Sequence, residues 1–369
     1  MKKNQKSVIL PLDRLSTLWP RELRNCRLGA ILHPASVSAS LAHASDILHA
    51  YEGDLFQLKA LFGPQHGYLG QTQDNMIEWQ GFRHPQWGIP VYSLYGEHRE
   101  PTPEMLAGLD ALLVDMQDVG ARYYTFIWTL YLSMKACEKA GVAVVVLDRP
   151  NPLGGVTVEG PVLNPEYRSF VGMHPIPVRH GKTIGQLAEQ FKREAFPGCA
   201  LTVLPMENWE PDMHFADTGL PWVLPSPNMP TPDTALVYPG MCLLEATNLS
   251  EGRGTTRPFE IFGAAFLNAR DLTGKLNRLG LPGVHFREAY FQPTFHKFQG
   301  QLCGGAQIHV TDRDAFLPYA TAVELLKLIR KDHPGEFQWK PPPYEYEHRH
   351  LPIEILIGGP LQDTFPDHG

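Results

Sequence analysis

Five short apolar runs punctuate the first 150 residues: "RLGAILH", "LKALFG", "IPVYSLY", "ALLVDM" and "VAVVVLD". Each is bounded by turn residues and is the length of a buried strand. Helical patterns lie between them, over Ser40 to Tyr51 and Thr125 to Ala140. Adjacent parallel strands need a crossover, and the crossover is normally a helix. The alternation therefore predicts an α/β fold, a Rossmann-like doubly wound parallel sheet with helices on both faces. A further helix over Thr183 to Ala195 and the strand "ALTVLPM" complete this domain, which is set at residues 1–215. From Gly219 to Pro239 the chain is too rich in proline for a helix and reads as an extended crossing. Beyond it, "QIHVTDRD" and the helix "YATAVELLKLIRK" predict a smaller α+β domain over residues 216–369 that closes a cleft.

Ligands of such sheets gather outside the carboxyl ends of the strands. The segments that follow the strands are "HPASVS", "GPQHGYLGQTQDN", "YGEHREPTP", "DMQDVGARYYT" and "DRPNPLGGVTVEGP", and all are more polar than a turn requires. In the fourth, Asp115 and Asp118 end a strand and Arg122 precedes a helix. Arg122 either pairs with one of these carboxylates or helps form a hydroxyl-binding rim. In the fifth, Arg149 can pair with Asp148, and two prolines fix Asn151 in a turn, for structure or for binding. Later, "EATNLSEGRGTTRPFE" sets Glu245, Asn248, Glu251 and Arg253 around glycines. It lacks the GxxxxGK[ST] of a phosphate loop and reads as a binding loop or as a solvated, salt-bridged one.

Composition removes several function classes. The chain has 369 residues, enough for two cores, and a formal charge of −7 with no long basic run, so no nucleic-acid partner is expected. No apolar stretch reaches membrane-spanning length, and the start carries too short an apolar run for a signal peptide, so no membrane partner is expected. Five scattered cysteines without CxxC spacing predict neither a disulfide framework nor a zinc site, and point to a reducing, cytoplasmic setting. Histidines 33, 66, 98, 174 and 180 show no metal-ligand spacing, so neither metal nor cofactor is expected.

The motifs "FGPQHGYLG", "VYSLYGEHREPTPEML", "DMQDVGARYYTF", "LDRPNPLGG", "FVGMHPIPVRHG", "PSPNMPT", "YPGMCLLEATNLSEGRGTTRPFEIFGA" and "CGGAQIHVTDR" occur in that order. Together they resemble the exo-β-N-acetylmuramidases of glycoside hydrolase family 171, formerly a domain of unknown function. The resemblance runs from about residue 28 to the C-terminus. It implies a Rossmann-like domain with a smaller subordinate domain, an active site in the cleft between them, and removal of terminal N-acetylmuramic acid from peptidoglycan fragments in cell wall recycling. The partner would be a small amino-sugar or muropeptide.

The chain departs from the family at one position. The family's GPEHG motif, whose glutamate is the favoured catalytic carboxylate, here reads GPQHG, with Gln65 in its place. An amide neither donates nor accepts a proton at neutral pH, whereas glycoside hydrolysis ordinarily uses two carboxyl groups. Another acid such as Glu97, Asp115 or Glu159 can take the role, the substrate's acetamido group can act as nucleophile, the chain binds without cleaving, or it hydrolyses a different 2-acetamido sugar. The catalytic candidates are accordingly Gln65, His66, Glu159 and Asp115. The substrate-binding candidates are Asp118, Arg122, Tyr123, Asn151, Asn228, Glu245, Asn248 and Arg253. Arg253 and then Arg122 are the expected grips for the lactyl carboxylate.

Overall fold

The computed structural model describes residues 6–73 and 76–366. Asp74 and Asn75, at the end of the loop "GPQHGYLGQTQDN", lie outside the described residues. The chain divides into two units. The first comprises residues 1–120, 124–156 and 181–227, the second residues 121–123, 157–180 and 228–369. The division is thus segmented rather than a single cut at 215.

The first unit is built on β1 (Cys26–Ile31), β2 (Phe56–Gly63), β3 (Phe82–Arg83), β4 (Pro90–Ser93), β5 (Ala111–Val114) and β6 (Ala143–Leu147). Next in the chain, β7 (Glu159–Val162) and β8 (Pro177–Arg179) pair as a separate antiparallel hairpin of the second unit. With β9 (Leu201–Leu204), the first unit's sheet has the order β3-β4-β2-β1-β5-β6-β9. All its pairings are parallel except β3 with β4, an antiparallel edge that the apolar runs did not announce. Every residue of β5 is buried, as a sheet covered on both faces requires.

Helices α1 (Leu15–Leu18), α2 (Ala44–Ala50), α3 (Pro103–Leu106), α4 (Phe126–Ala140) and α5 (Ile184–Glu194) belong to this unit. In α5, Ile184, Leu187, Ala188 and Phe191 recur at helical spacing and are buried. Thr183 and Gln186 close its start with a reciprocal capping box.

The second unit contains α6 (Pro232–Met241), β10 (Ile261–Ala264), α7 (Ala269–Arg278), β11 (Val284–Phe291), β12 (Cys303–Val310), α8 (Pro318–Asp332) and α9 (Pro352–Ile357). Its three-stranded antiparallel sheet has the order β10-β12-β11. The expectation of an extended crossing through Pro239 is corrected by α6. Thr231 caps Thr234 N, and Pro232 stands in the first turn, where its missing N–H costs nothing. Eight of the ten residues of α6 are buried, so packing outweighs the bond lost at Pro239.

Candidate active site

The strand order reverses between β1 and β5, because the chain moves outward from β1 through β2 and β4 and then resumes at β5 on β1's other side. Loops after these two strands therefore diverge from a topological switch point, where open α/β sheets bind ligands. His33 follows β1 and is fully buried. Its Nε2 accepts Gln117 N–H at 2.9 Å, so the ring proton sits on Nδ1 and is donated to Pro225 O at 3.2 Å. Burial pushes the imidazole pKa down to about 3, so it stays neutral. Ser36 ties the same two strand ends through a 2.5 Å bond to Asp115 O.

Asp115 has no solvent exposure and is held bidentately by Arg149, with Nη2 at 2.8 Å from Oδ2. Arg149 also donates to Val37 O at 2.9 Å. The expected pairing of Arg149 with Asp148 is corrected here. Asp148 instead accepts the Thr183 hydroxyl at 3.0 Å and Gly185 N–H at 2.8 Å at the start of α5, and burial lifts its pKa to about 6. Asp118 accepts Gly120 N–H at 2.8 Å, a local turn closure. Asn151 accepts Leu153 N–H at 2.9 Å and donates to Lys182 O at 3.0 Å. A Cβ at Gly120, whose φ is +81°, would stand 2.5 Å from Asn151 Oδ1, so the two turns fit only around a glycine.

After β2 the chain folds back tightly. A Cβ on Gly63 would lie 2.5 Å from Tyr68 N. The Trp79 indole and Gly67 N–H both donate to Pro64 O. His66 takes a left-handed φ of +69°, an uncommon conformation for a residue with a side chain, and its Nδ1 lies 2.8 Å from Thr72 O. Gln65 and His66 are both buried. Thr125, at the N-cap of α4, donates its hydroxyl to Gln65 Oε1 at 2.5 Å. Sequence reading did not single out Thr125 or Gln117. The helix boundary before Phe126 was the available signal for the first, and the second has none. Glu97, in the loop after β4, is exposed over 88% of its side chain.

The remaining candidates belong to the second unit. Arg122 is fully buried and donates to the carbonyls of Pro161 at 2.7 Å, Ile176 at 3.0 Å and Leu356 at 2.7 Å. Three carbonyls thus share its guanidinium. Burial pulls its pKa down to about 10. Tyr123 donates to Pro239 O. Glu159 Oε1 accepts Ala320 N–H at 2.7 Å in the first turn of α8, whose N-cap Leu317 offers no side-chain acceptor. Burial raises the Glu159 pKa above the usual carboxylate value.

Asn228 is buried. Asn248 bonds the backbone at Glu336 O and Gln338 N. Glu245 accepts Arg253 at 2.8 Å and Tyr344 at 2.7 Å. Arg253 also faces Glu251 at 3.3 Å, which Lys297 meets at 2.8 Å. Arg253 is thus buried between two carboxylates rather than presented as a lone cation. Among the described residues, no group of three or more His, Cys, Asp or Glu could hold a metal ion.

Two family models match the chain, the N-terminal domain of exo-beta-N-acetylmuramidase NamZ over residues 28–233 and its C-terminal domain over residues 236–363. The chain belongs to the NamZ exo-β-N-acetylmuramidase family. A Bacillus subtilis relative, peptidoglycan beta-N-acetylmuramidase NamZ, is 49% identical over 328 residues, which is 89% of this chain and 78% of the relative. Two crystal structures of DUF1343 family proteins from Bacteroides fragilis share the architecture. One is 33% identical with a TM-score of 0.85, over 97% of this chain and 90% of that one. The other is 27% identical with a TM-score of 0.71, over 96% and 88%. No described helix is long and apolar enough to cross a membrane.

Proposed function

We propose that this chain acts on terminal β-linked N-acetylmuramic acid of peptidoglycan fragments, as an exo-β-N-acetylmuramidase. The similarity to a peptidoglycan β-N-acetylmuramidase across 89% of the chain carries this reading. The loops after β1 and β5 at the switch point, and the loop after the neighbouring β2, carry the polar groups such a ligand needs, with Gln65 and His66 after β2 and Gln117 and Asp118 after β5. Asp115 and Glu159 serve the fold in this reading, the first neutralised by Arg149 and the second capping α8. Five buried free thiols support a reducing, cytoplasmic site of action in cell wall recycling. Recovery of the native protein in a periplasmic or secreted fraction alone would overturn that placement.

One observation favours a second reading. Gln65 is an amide held by Thr125 at the position where the family resemblance implies a carboxylate, which fits an amino-sugar-binding protein with weakened hydrolysis. Assay of the purified chain against a chromogenic N-acetylmuramide and its N-acetylglucosaminide analogue, with binding measured in parallel, separates the readings. Release from the muramide alone supports the first. Binding without release supports the second, and release from the glucosaminide alone overturns both.

A further inference from the structure

Helix α7 and the edge strand β11 enclose an open groove of about 680 Å³ in the second unit. Arg270, Gly274 and Arg278 line it from the helix, and Arg287 from the strand. The three helix positions are four residues apart and form one row on the helix face. Among the described residues neither Arg270 nor Arg278 is neutralised by an ion pair, in a chain whose formal charge is −7. Arg270 stands in the first turn of α7, where the helix dipole disfavours a cation, so local helix stability does not explain it. Gly274 sits between the two arginines in mid-helix, where glycine weakens a helix. It leaves the floor of the row open: a Cβ there meets only Arg278 Nη1, at 3.5 Å.

The groove's other groups narrow what it can take. Asn277 bonds both Phe286 N and Phe286 O, so at that residue the outer edge of β11 is already closed to an added strand. Recognition must come from side chains. Lys275 is shared by Asp271 at 2.7 Å and Asp332 at 2.8 Å, which leaves one net negative charge there, and Glu288 is the second opposing carboxylate; against them stand Arg270, Arg278 and Arg287, the last steadied by Gln307 at 2.5 Å. Eight residues of helix separate Arg270 from Arg278 by about 12 Å along the axis, on the scale of one disaccharide. A polymer with one carboxylate on every second sugar matches that row.

We propose that this groove is an accessory subsite for the peptide-free glycan strand, in which Arg270 and Arg278 grip the free lactyl carboxylates of successive N-acetylmuramic acid residues. The subsite rests on the proposed substrate class and is separable from catalysis. Its probe is a peptide-free strand of alternating N-acetylglucosamine and N-acetylmuramic acid with N-acetylglucosamine at the non-reducing end, which an exo-muramidase cannot shorten. The full chain should bind this strand more tightly than a neutral chitin oligomer of equal length, and less tightly as salt rises. Arg270→Gln with Arg278→Gln should weaken binding about tenfold or more. Gly274→Leu, which favours the helix but fills the row, should weaken it similarly. Cleavage of the chromogenic N-acetylmuramide should not change in either variant. Variants that bind like the wild type, equal binding of chitin, or equal binding of a polyglutamate peptide of matched charge would each overturn the proposal. If the muramide is not cleaved but arginine-dependent strand binding persists, the catalytic reading fails and the subsite stands.

Discussion

Thr125 donates its hydroxyl to Gln65 Oε1 at 2.5 Å, joining the N-cap of α4 to the loop after β2. This bond fixes the amide in one orientation. It would equally hold a carboxylate at position 65, because an ionised Glu accepts the same hydrogen.

Gln65→Glu should therefore fit without rearrangement and raise turnover of a chromogenic N-acetylmuramide by about 10²–10⁴-fold, the scale of general acid–base help, with affinity little altered. Thr125→Val in that background should reduce the gain, and Thr125→Ser should retain it. A fully active wild type in which Gln65→Glu changes nothing would show that the proton is handled elsewhere.

Glu159→Gln distinguishes a helix cap from an acid. As a cap on α8 the amide still accepts Ala320 N–H and should leave stability and turnover little changed, whereas Glu159→Ala, which removes the acceptor, should cost about 0.5–2 kcal/mol of stability in urea unfolding. A loss of turnover by a hundredfold without loss of stability would return Glu159 to the catalytic group.

The buried pair Asp115–Arg149 predicts a coupled stability effect. Arg149→Met alone should destabilise by about 3–5 kcal/mol, because it strands a carboxylate away from water, and adding Asp115→Leu should recover much of that loss. Denaturant midpoints of the two singles and the double measure the coupling. Simple additivity would show that the pair is not the unit it appears in the fold.

Acid should destabilise the fold through His33. Its folded pKa of about 3 lies below the ordinary value of 6.5. The unfolded chain takes up the proton first, and stability present above 6.5 is lost as pH falls, by about 1.4 kcal/mol per unit. Asp148 acts oppositely, since its pKa is raised from 3.8 to about 6 and its burial penalty is relieved as pH falls across that window. The two partly offset there, so the test is a difference: His33→Gln should be less acid-sensitive than the wild type between pH 6.5 and 4. Parallel stability curves would refute the assignment.

The periodic parts of the fold were legible in the chain. "ALLVDM" and "VAVVVLD" became β5 and β6 because uninterrupted apolar runs suit only a strand covered on both faces. "YATAVELLKLIRK" became α8, whose buried positions recur at helical spacing. Proline density misled at 232–241, since Pro232 fits a helix's first turn and tertiary packing holds Pro239 within α6. Polar loops were located correctly by their position after strands, because strand ends are set by local pattern. Their pairings were not legible.

Whether Arg149 meets Asp148 or Asp115 depends on the register of β5 against β6, and whether Arg122 meets carboxylates or carbonyls depends on how the β7–β8 hairpin and residues near Leu356 surround it. By itself the sequence determined the strand-helix alternation, the motif order that identifies the family, and the amide at position 65. Only the tertiary structure decided which charges are cancelled, as at Asp115 and Arg253, and which are left facing a groove, as at Arg270 and Arg278. The reason is physical: backbone pattern is a property of neighbours in the chain, whereas charge pairing acts over a few ångströms between residues brought together by folding.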